Sequence, residues 1–276
     1  TPKPSSAASD VYKRQGQARP ELLHTYSEER QVVAQELIDF DREWARMFSD
    51  RPRHEEEGGA AAGVDPKAFQ AYFEQHGRFT AGVGTHYRPS LICGESTHQN
   101  LATGFVIGTR LHSAPVLRVS DARPVHLGHA GKADGRWRLY AFAGANDLQD
   151  RQAGIHALCE FLSQSHDSPV RRHTRPGQDV DAVFDVLAIF QQRYTEVAID
   201  RLPGLLLPPK GRFGLRDYEK VFCPDFKHGP DVFDLRGIDR AQGALVVVRP
   251  DQYVAHVLPL AAHAELAAFF RRFMLD

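Results

Sequence analysis

The chain has 276 residues, with 34 basic against 35 acidic side chains and a formal net charge of -1, so no broad electrostatic attraction draws it to nucleic acid or an anionic membrane. A composition of 42% hydrophobic and 25% charged residues suits one large or two modest globular domains, and no apolar run approaches the roughly 20 residues that a membrane-spanning helix needs. The polar N-terminus lacks the apolar centre of a secretory signal, and Cys93, Cys159 and Cys223 are odd in number and far apart. No disulfide framework or dithiol motif is readable, and the expectation is a cytoplasmic protein with reduced, half-buried thiols.

Residues 1–15 are set aside first. The stretch SSAASDVYKRQ, Ser5 to Gln15, ends in DVYKRQ, which resembles a translated transposon-end adapter from sequencing libraries; the alternative is a disordered native tail. On the adapter reading the natural protein continues upstream of Gly16.

From Pro20, the positions Leu23, Tyr26, Val33, Leu37, Phe40, Trp44 and Phe48 recur at mixed spacings of three and four, with Arg30 filling the missing step. This predicts one long amphipathic helix that starts at Pro20, stops before Pro52, and needs a partner to cover its stripe. Arg51 to Gly63 (RPRHEEEGGAAAG) reads as an exposed linker, and Asp65-Pro66 as the cap of a short helix through Phe69, Tyr72 and Phe73. Residues 77–100, beginning GRFTAGVGTHYRPSLI, read as an extended connection to a second domain.

In that domain, placed at 101–276, Val116 to Val119 and Arg136 to Ala143 read as strands, with a turn at Asp134-Gly135. Gly154 to Leu162 reads as a helix and Val183 to Phe190 as a buried strand. Ala244 to Val248 and Tyr253 to Leu258 flank the turn Arg249-Pro250-Asp251-Gln252, and Ala264 to Leu275 closes as a helix. Strand, helix, strand, hairpin, helix is the order of a thioredoxin-like α/β domain.

Two segments go beyond pattern: LLHTYSEERQVVAQELIDFDREWARMF, Leu22 to Phe48, and KGRFGLRDYEKVFCPD with LRGIDRAQGALVVVRPDQYVAHVLPL, between Lys210 and Leu260. Both resemble the phenol 2-monooxygenase family, with 3-hydroxybenzoate 4-monooxygenases nearest in character, and the likeness extends over nearly everything after Gly16. The resemblance implies a parent that uses FAD, NAD(P)H and oxygen to hydroxylate a phenolic ring. In it, residues 16–76 would be the last helices of a truncated FAD and substrate domain, and 101–276 a thioredoxin-like domain that dimerises. The family's flavin motifs cannot be placed here: Gly82-Val83-Gly84 is a G-x-G whose third glycine position is Tyr87, and Asp134-Gly135 lies in the wrong domain. FAD and NAD(P)H are therefore expected for the intact parent and not for this chain.

No catalytic, cofactor-binding or metal residue is assigned. A thiol mechanism needs a cysteine near a helix N-terminus, but the turn after the strand 136–143 reads Gly144-Ala145-Asn146-Asp147, and Cys159 and Cys223 read as packing. His86, Cys93, His98, His126 and His129 fit no tight ligand spacing, and no G-x-S-x-G elbow is present. Tyr26, Glu29 and Arg30 form a Y-x-x-E-R core in which Arg30 is expected to join helix to domain, while Arg171 to Arg175 reads as a solvated loop. The hairpin 244–258 and helix 264–275 are the expected dimer contacts. The rival reading is a stand-alone, non-catalytic thioredoxin-like binding module; a thiol peroxidase is the third.

Overall fold

In the computed structural model of the chain, the described residues are 16–49, 70–72, 74, 76–77, 81–152, 154–227 and 229–275. The adapter or tail at 1–15, the linker Arg51 to Gly63, the Asp65-Pro66 cap and Phe73 lie outside them.

Pro20 opens a 3-10 turn, Pro20–Leu23, that runs into α1, His24–Ser49. Proline fits there because its fixed φ is already helical and its missing N–H would have no helical acceptor. Only the start of this helix is anchored: Leu22 and Thr25 are buried, and the Thr25 hydroxyl donates to the Leu22 carbonyl at 2.7 Å. Further along, Tyr26 and Leu37 remain 45% and 48% exposed while Leu23, Val33, Phe40 and Trp44 are half-buried, so the predicted stripe is only partly covered by the described residues. Its distal aromatics pack on Tyr72 and His76, with Phe40 5.9 Å from Tyr72 between ring centroids. The Tyr72 hydroxyl donates to Glu43.

The α/β unit is built on a seven-stranded mixed sheet ordered β2-β1-β7-β4-β3-β8-β9. Its strands are β1, Pro115–Arg118; β2, Arg123–His126; β3, Trp137–Phe142; β4, Phe184–Ile189; β7, Val221–Cys223; β8, Ala244–Val248; and β9, Val254–Leu258. A separate two-stranded hairpin comprises β5, Pro209–Lys210, and β6, Leu215–Arg216. Strand β4 runs parallel to β3 and β7, and the other pairs are antiparallel. Helices α2, Leu127–Ala130; α3, Gly154–Gln164; α4, Pro169–His173; α5, Val232–Leu235; and α6, His263–Arg271 complete the unit.

Every residue of β3, β4 and β8 is buried, which is why these strands read as largely apolar rather than alternating runs, broken only by Arg138 in β3 and Asp185 in β4. Successive residues still face opposite ways. Leu139, Ala141, Val186 and Val247 join a core with Leu158 of α3 and Phe270 of α6. Tyr140, Phe142, Leu187 and Val246 join a second with Phe105 and Phe233. Among the described residues, no helix is long and apolar enough to cross a membrane.

Two expectations change. Arg171 to His173 belong to α4 rather than a loop: Pro169 starts the helix, Ser168 caps it by accepting from the Arg171 N–H, and His173 is buried. The cysteines are fully buried rather than half-buried, Cys223 because it ends an internal strand. Residues 81–100 contain no strand, and Tyr87, Ile92 and Cys93 are packed into the α/β unit.

Candidate functional site

The turn after β3 is where thiol chemistry would have to sit. Asp147 occupies it, buried, with its carboxylate accepting from the Gly144 N–H at 2.9 Å and the Ile155 N–H at 3.2 Å. The second bond caps the start of α3, satisfying a donor that helix geometry leaves free. Gly154 makes this possible: its φ is +52°, and a Cβ there would collide with the Asp147 carboxylate. Burial raises the Asp147 pKa in spite of the two donors. The carboxylate is thus committed to backbone, and an anion placed at this helix end would meet it directly.

The cysteines are no better placed for reaction. Burial pushes Cys93 up to about 11 and both Cys159 and Cys223 to about 12, so all three are neutral thiols near pH 7. The potential metal ligands are dispersed. His86 pairs with the Ile107 carbonyl at 2.9 Å, His98 lies 3.2 Å from Glu265, and His126 and His129 have ring centroids 5.7 Å apart. No three His, Cys, Asp or Glu side chains among the described residues form a group that could hold a metal.

The joint between α1 and the sheet is a buried ionic site. Arg249 donates to Glu29 in a two-pronged pair at 2.5 and 2.9 Å and to Asp251 in another at 3.0 and 2.7 Å. The three side chains are between 5% and 9% exposed. Burial opposes the Arg249 charge, but Asp251 and Glu29 outweigh it and hold the pKa above the ordinary value. Tyr87 and Tyr253, 4.6 Å apart between centroids, cover the guanidinium at 5.2 and 5.7 Å. The helix is therefore joined to the domain through Glu29 rather than Arg30. An arginine does carry the contact, but it comes from the β8–β9 turn, where the sequence showed only RPDQY.

A second ionic cluster closes the same end of the central strands, where Arg138 of β3 pairs with Val248, the residue before Arg249. Lys220, beside β7, bonds to Asp181 at 2.7 Å and to Asp185 of β4, while Arg136 reaches Asp181 at 3.0 Å. Asp134, in the turn before β3, takes Arg136 at 2.7 Å and Arg138 at 2.8 Å. Lys210 of β5 also pairs with Asp181. Burial works against the Asp181 carboxylate, yet Lys220 and Lys210 lower its pKa to about 2. Each charge in the cluster faces an opposite one, as low-dielectric burial demands, and its evident task is to tie β4, β7 and the β5–β6 hairpin together.

The expected dimer contacts are mostly internal. All of β8 is buried, and β9 is covered along its outer edge by backbone bonds from Gly94 to Ala255 at 2.7 Å and between Val254 and Thr109 at 2.9 Å. Helix α6 turns Leu266, Phe269 and Phe270 inward.

Comparison with known proteins places this geometry. Residues 85–276 match the sequence model of the family described as phenol hydroxylase, C-terminal dimerisation domain. The chain is 68% identical over 259 residues to a 3-hydroxybenzoate 4-monooxygenase of Comamonas testosteroni, covering 94% of this chain and 40% of that protein. It is 35% identical over 265 residues to the FAD-dependent monooxygenase terD of Aspergillus terreus, covering 94% and 42%. A solved structure of the flavin-dependent monooxygenase PieE, in complex with FAD and substrate, aligns with a TM-score of 0.51 at 16% identity, covering 98% of this chain and 42% of that one, a likeness of fold. The chain thus spans about two fifths of the length of the curated relatives it matches.

Proposed function

The chain belongs to the phenol hydroxylase C-terminal dimerisation domain family, and from that membership we propose that it works as the C-terminal part of a cytoplasmic flavoprotein monooxygenase. The substrate of the whole protein would be a phenolic ring of the 3-hydroxybenzoate type, with FAD, NAD(P)H and oxygen as co-reactants. The observation that carries this reading is 68% identity sustained over 94% of the chain.

The residues present do not fit a flavin. Gly82-Val83-Gly84 opens no strand-to-helix turn, and Tyr87, at the third glycine position, is buried in the joint with Arg249. The strand-to-helix turn after β3 carries the Asp147 carboxylate, which would repel a pyrophosphate. No step of the reaction is therefore assigned to this chain. Its part is to dock and to dimerise: α1 would carry the flavin domain on the uncovered part of its stripe, and the Glu29–Arg249 joint would fix that helix to the α/β unit.

We further read the α/β unit as thioredoxin-like. Supporting this, parallel β3 and β4 are linked through α3, and the antiparallel β8–β9 hairpin leads into α6. Its boundary is proposed at residue 85, since the family match starts there and Tyr87 and Cys93 are core residues, with 16–76 as the end of the hydroxylase domain.

The test is expression of this chain beside the full coding sequence from its source. The chain alone should be colourless and inactive, and the longer protein yellow, with NAD(P)H oxidation stimulated by 3-hydroxybenzoate. Flavin bound stoichiometrically by the chain alone would overturn the reading, as would a native start near Gly16, which would leave the stand-alone module.

A further inference from the structure

We propose that the cleft beyond the carboxyl ends of β4 and β7 binds a small aromatic carboxylate. The site rests on the chemistry of its lining and is independent of the flavoprotein reading.

Strands β4 and β7 run parallel and side by side, so the chain leaves both of them at one end of the sheet. Open α/β sheets take ligands in the crevice beyond the carboxyl ends of such strands. The loop after β4 brings Arg193 and Tyr194 to this crevice, and the loop after β7 brings Asp225, Phe226 and Lys227. Strand β1, antiparallel to β7 with Leu117 opposite Cys223, closes a third side with Leu117 and its partner on β2, Pro124. The cleft holds about 410 Å³, a size typical of small-ligand sites.

Its walls and charges define the ligand. Leu117, Pro124, Tyr194 and Phe226 are apolar or aromatic, and the two rings are 40% and 53% exposed, offering faces on which a planar molecule can stack. The charged groups in the lining are two cations and one acid. The acid, Asp225, is buried and already engaged, its carboxylate accepting from the Lys227 N–H at 3.1 Å. Arg193 bonds to Glu196 at 2.9 Å through its backbone N–H, not its side chain. Among the described residues, neither the Arg193 guanidinium nor the Lys227 ammonium is paired with a carboxylate, unlike Lys220 and Arg249 in the two ionic sites. Two uncommitted cations beside flat apolar walls suit a ligand that is a ring at one end and an anion at the other, and the guanidinium fork matches the two oxygens of a carboxylate.

The cleft is also preorganised. The Phe190 N–H extends the β4–β7 pairing to the Phe222 carbonyl at 2.9 Å, the Gln191 side chain donates to the Ala143 carbonyl at 2.8 Å, and the Tyr194 N–H donates to the Cys223 sulfur. The loop that carries Arg193 and Tyr194 is thus tied to the sheet, and little ordering is left for a ligand to impose.

Ligand-observed NMR titration of the chain with benzoate and 3-hydroxybenzoate tests this. Both should bind with a Kd of about 1 mM or tighter, and cyclohexanecarboxylate and phenol, which lack the aromatic ring and the charge respectively, at least about fivefold more weakly. A chain carrying both Arg193→Gln and Lys227→Gln should bind benzoate at least about tenfold more weakly, and Phe226→Ala at least about fivefold. All three side chains are exposed, so circular dichroism spectra should not change. Undiminished affinity in these variants, or a wild-type chain that binds neither acid at millimolar concentration, would overturn the site. Inorganic phosphate that displaces benzoate at equal concentration would overturn the aromatic class. None of these results bears on the flavoprotein reading, which falls instead if the longer protein is colourless.

Discussion

Replacing Arg249 by Met should release α1 from the α/β unit. The substitution leaves Glu29 and Asp251, 9% and 5% exposed, facing each other with no cation between them. Opposite charges roughly 4 Å apart interact by about 4 kcal/mol at an effective dielectric of about 20, and breaking a buried pair by removing one partner costs about 3–5 kcal/mol. Arg249→Met is therefore expected to lose about 3–5 kcal/mol, while Glu29→Gln, which leaves Asp251 on the arginine, should lose about half as much. Urea titration followed by tryptophan fluorescence and circular dichroism measures both. The double variant should be less destabilised than the sum, by at least about 1 kcal/mol, because the two residues share one contact. Since Glu29 holds the helix and not the sheet, amide exchange in α1 should accelerate before exchange in β3 and β4 does. An Arg249→Met chain within about 1 kcal/mol of wild type, or strict additivity of the pair, would refute the claim that this contact is the joint.

The Asp181 cluster gives an acid limb to stability. Its folded pKa, about 2, lies below the ordinary carboxylate value, so its contribution is complete above about pH 4 and is lost as pH falls toward 2, and Asp181→Asn should flatten urea midpoints over that window. Equal slopes in the two proteins would count against it. Asp147→Ala strips the Gly144 and Ile155 N–H groups of their acceptor and should cost about 1–2 kcal/mol, read from thermal unfolding. The cysteines should resist a thiol reagent at pH 8 in the native chain and react on unfolding, given their upward shifts. Rapid labelling of Cys93, Cys159 or Cys223 under native conditions would contradict their burial.

The sequence made legible whatever was long, periodic or β-branched. ALVVV is β8 to the residue, and the runs around β3, β4 and α3 fall within two residues of their observed ends. Strand β2 escaped because RPVH, polar and bearing a proline, is what an edge strand looks like and also what a loop looks like. Strand β7 escaped because three residues are too few to show a period. The ionic sites were hidden for another reason. Glu29 and Arg249 are 220 positions apart, and no local signal announces that a helix glutamate and a turn arginine will meet. Asp147 was read only as the absence of a cysteine, although an aspartate seven residues before Gly154 was the visible half of a helix cap.

That separation of 220 residues also sets a schedule. At synthesis rates of about 5–20 residues per second, Glu29 is added roughly 10–40 seconds before Arg249. Through that interval, α1 has its apolar stripe and an acidic residue without the guanidinium that will bury it. The joint thus closes late in a growing chain, ahead of the backbone bonds that tie Gln17 and Arg19 to Leu275 and Phe273.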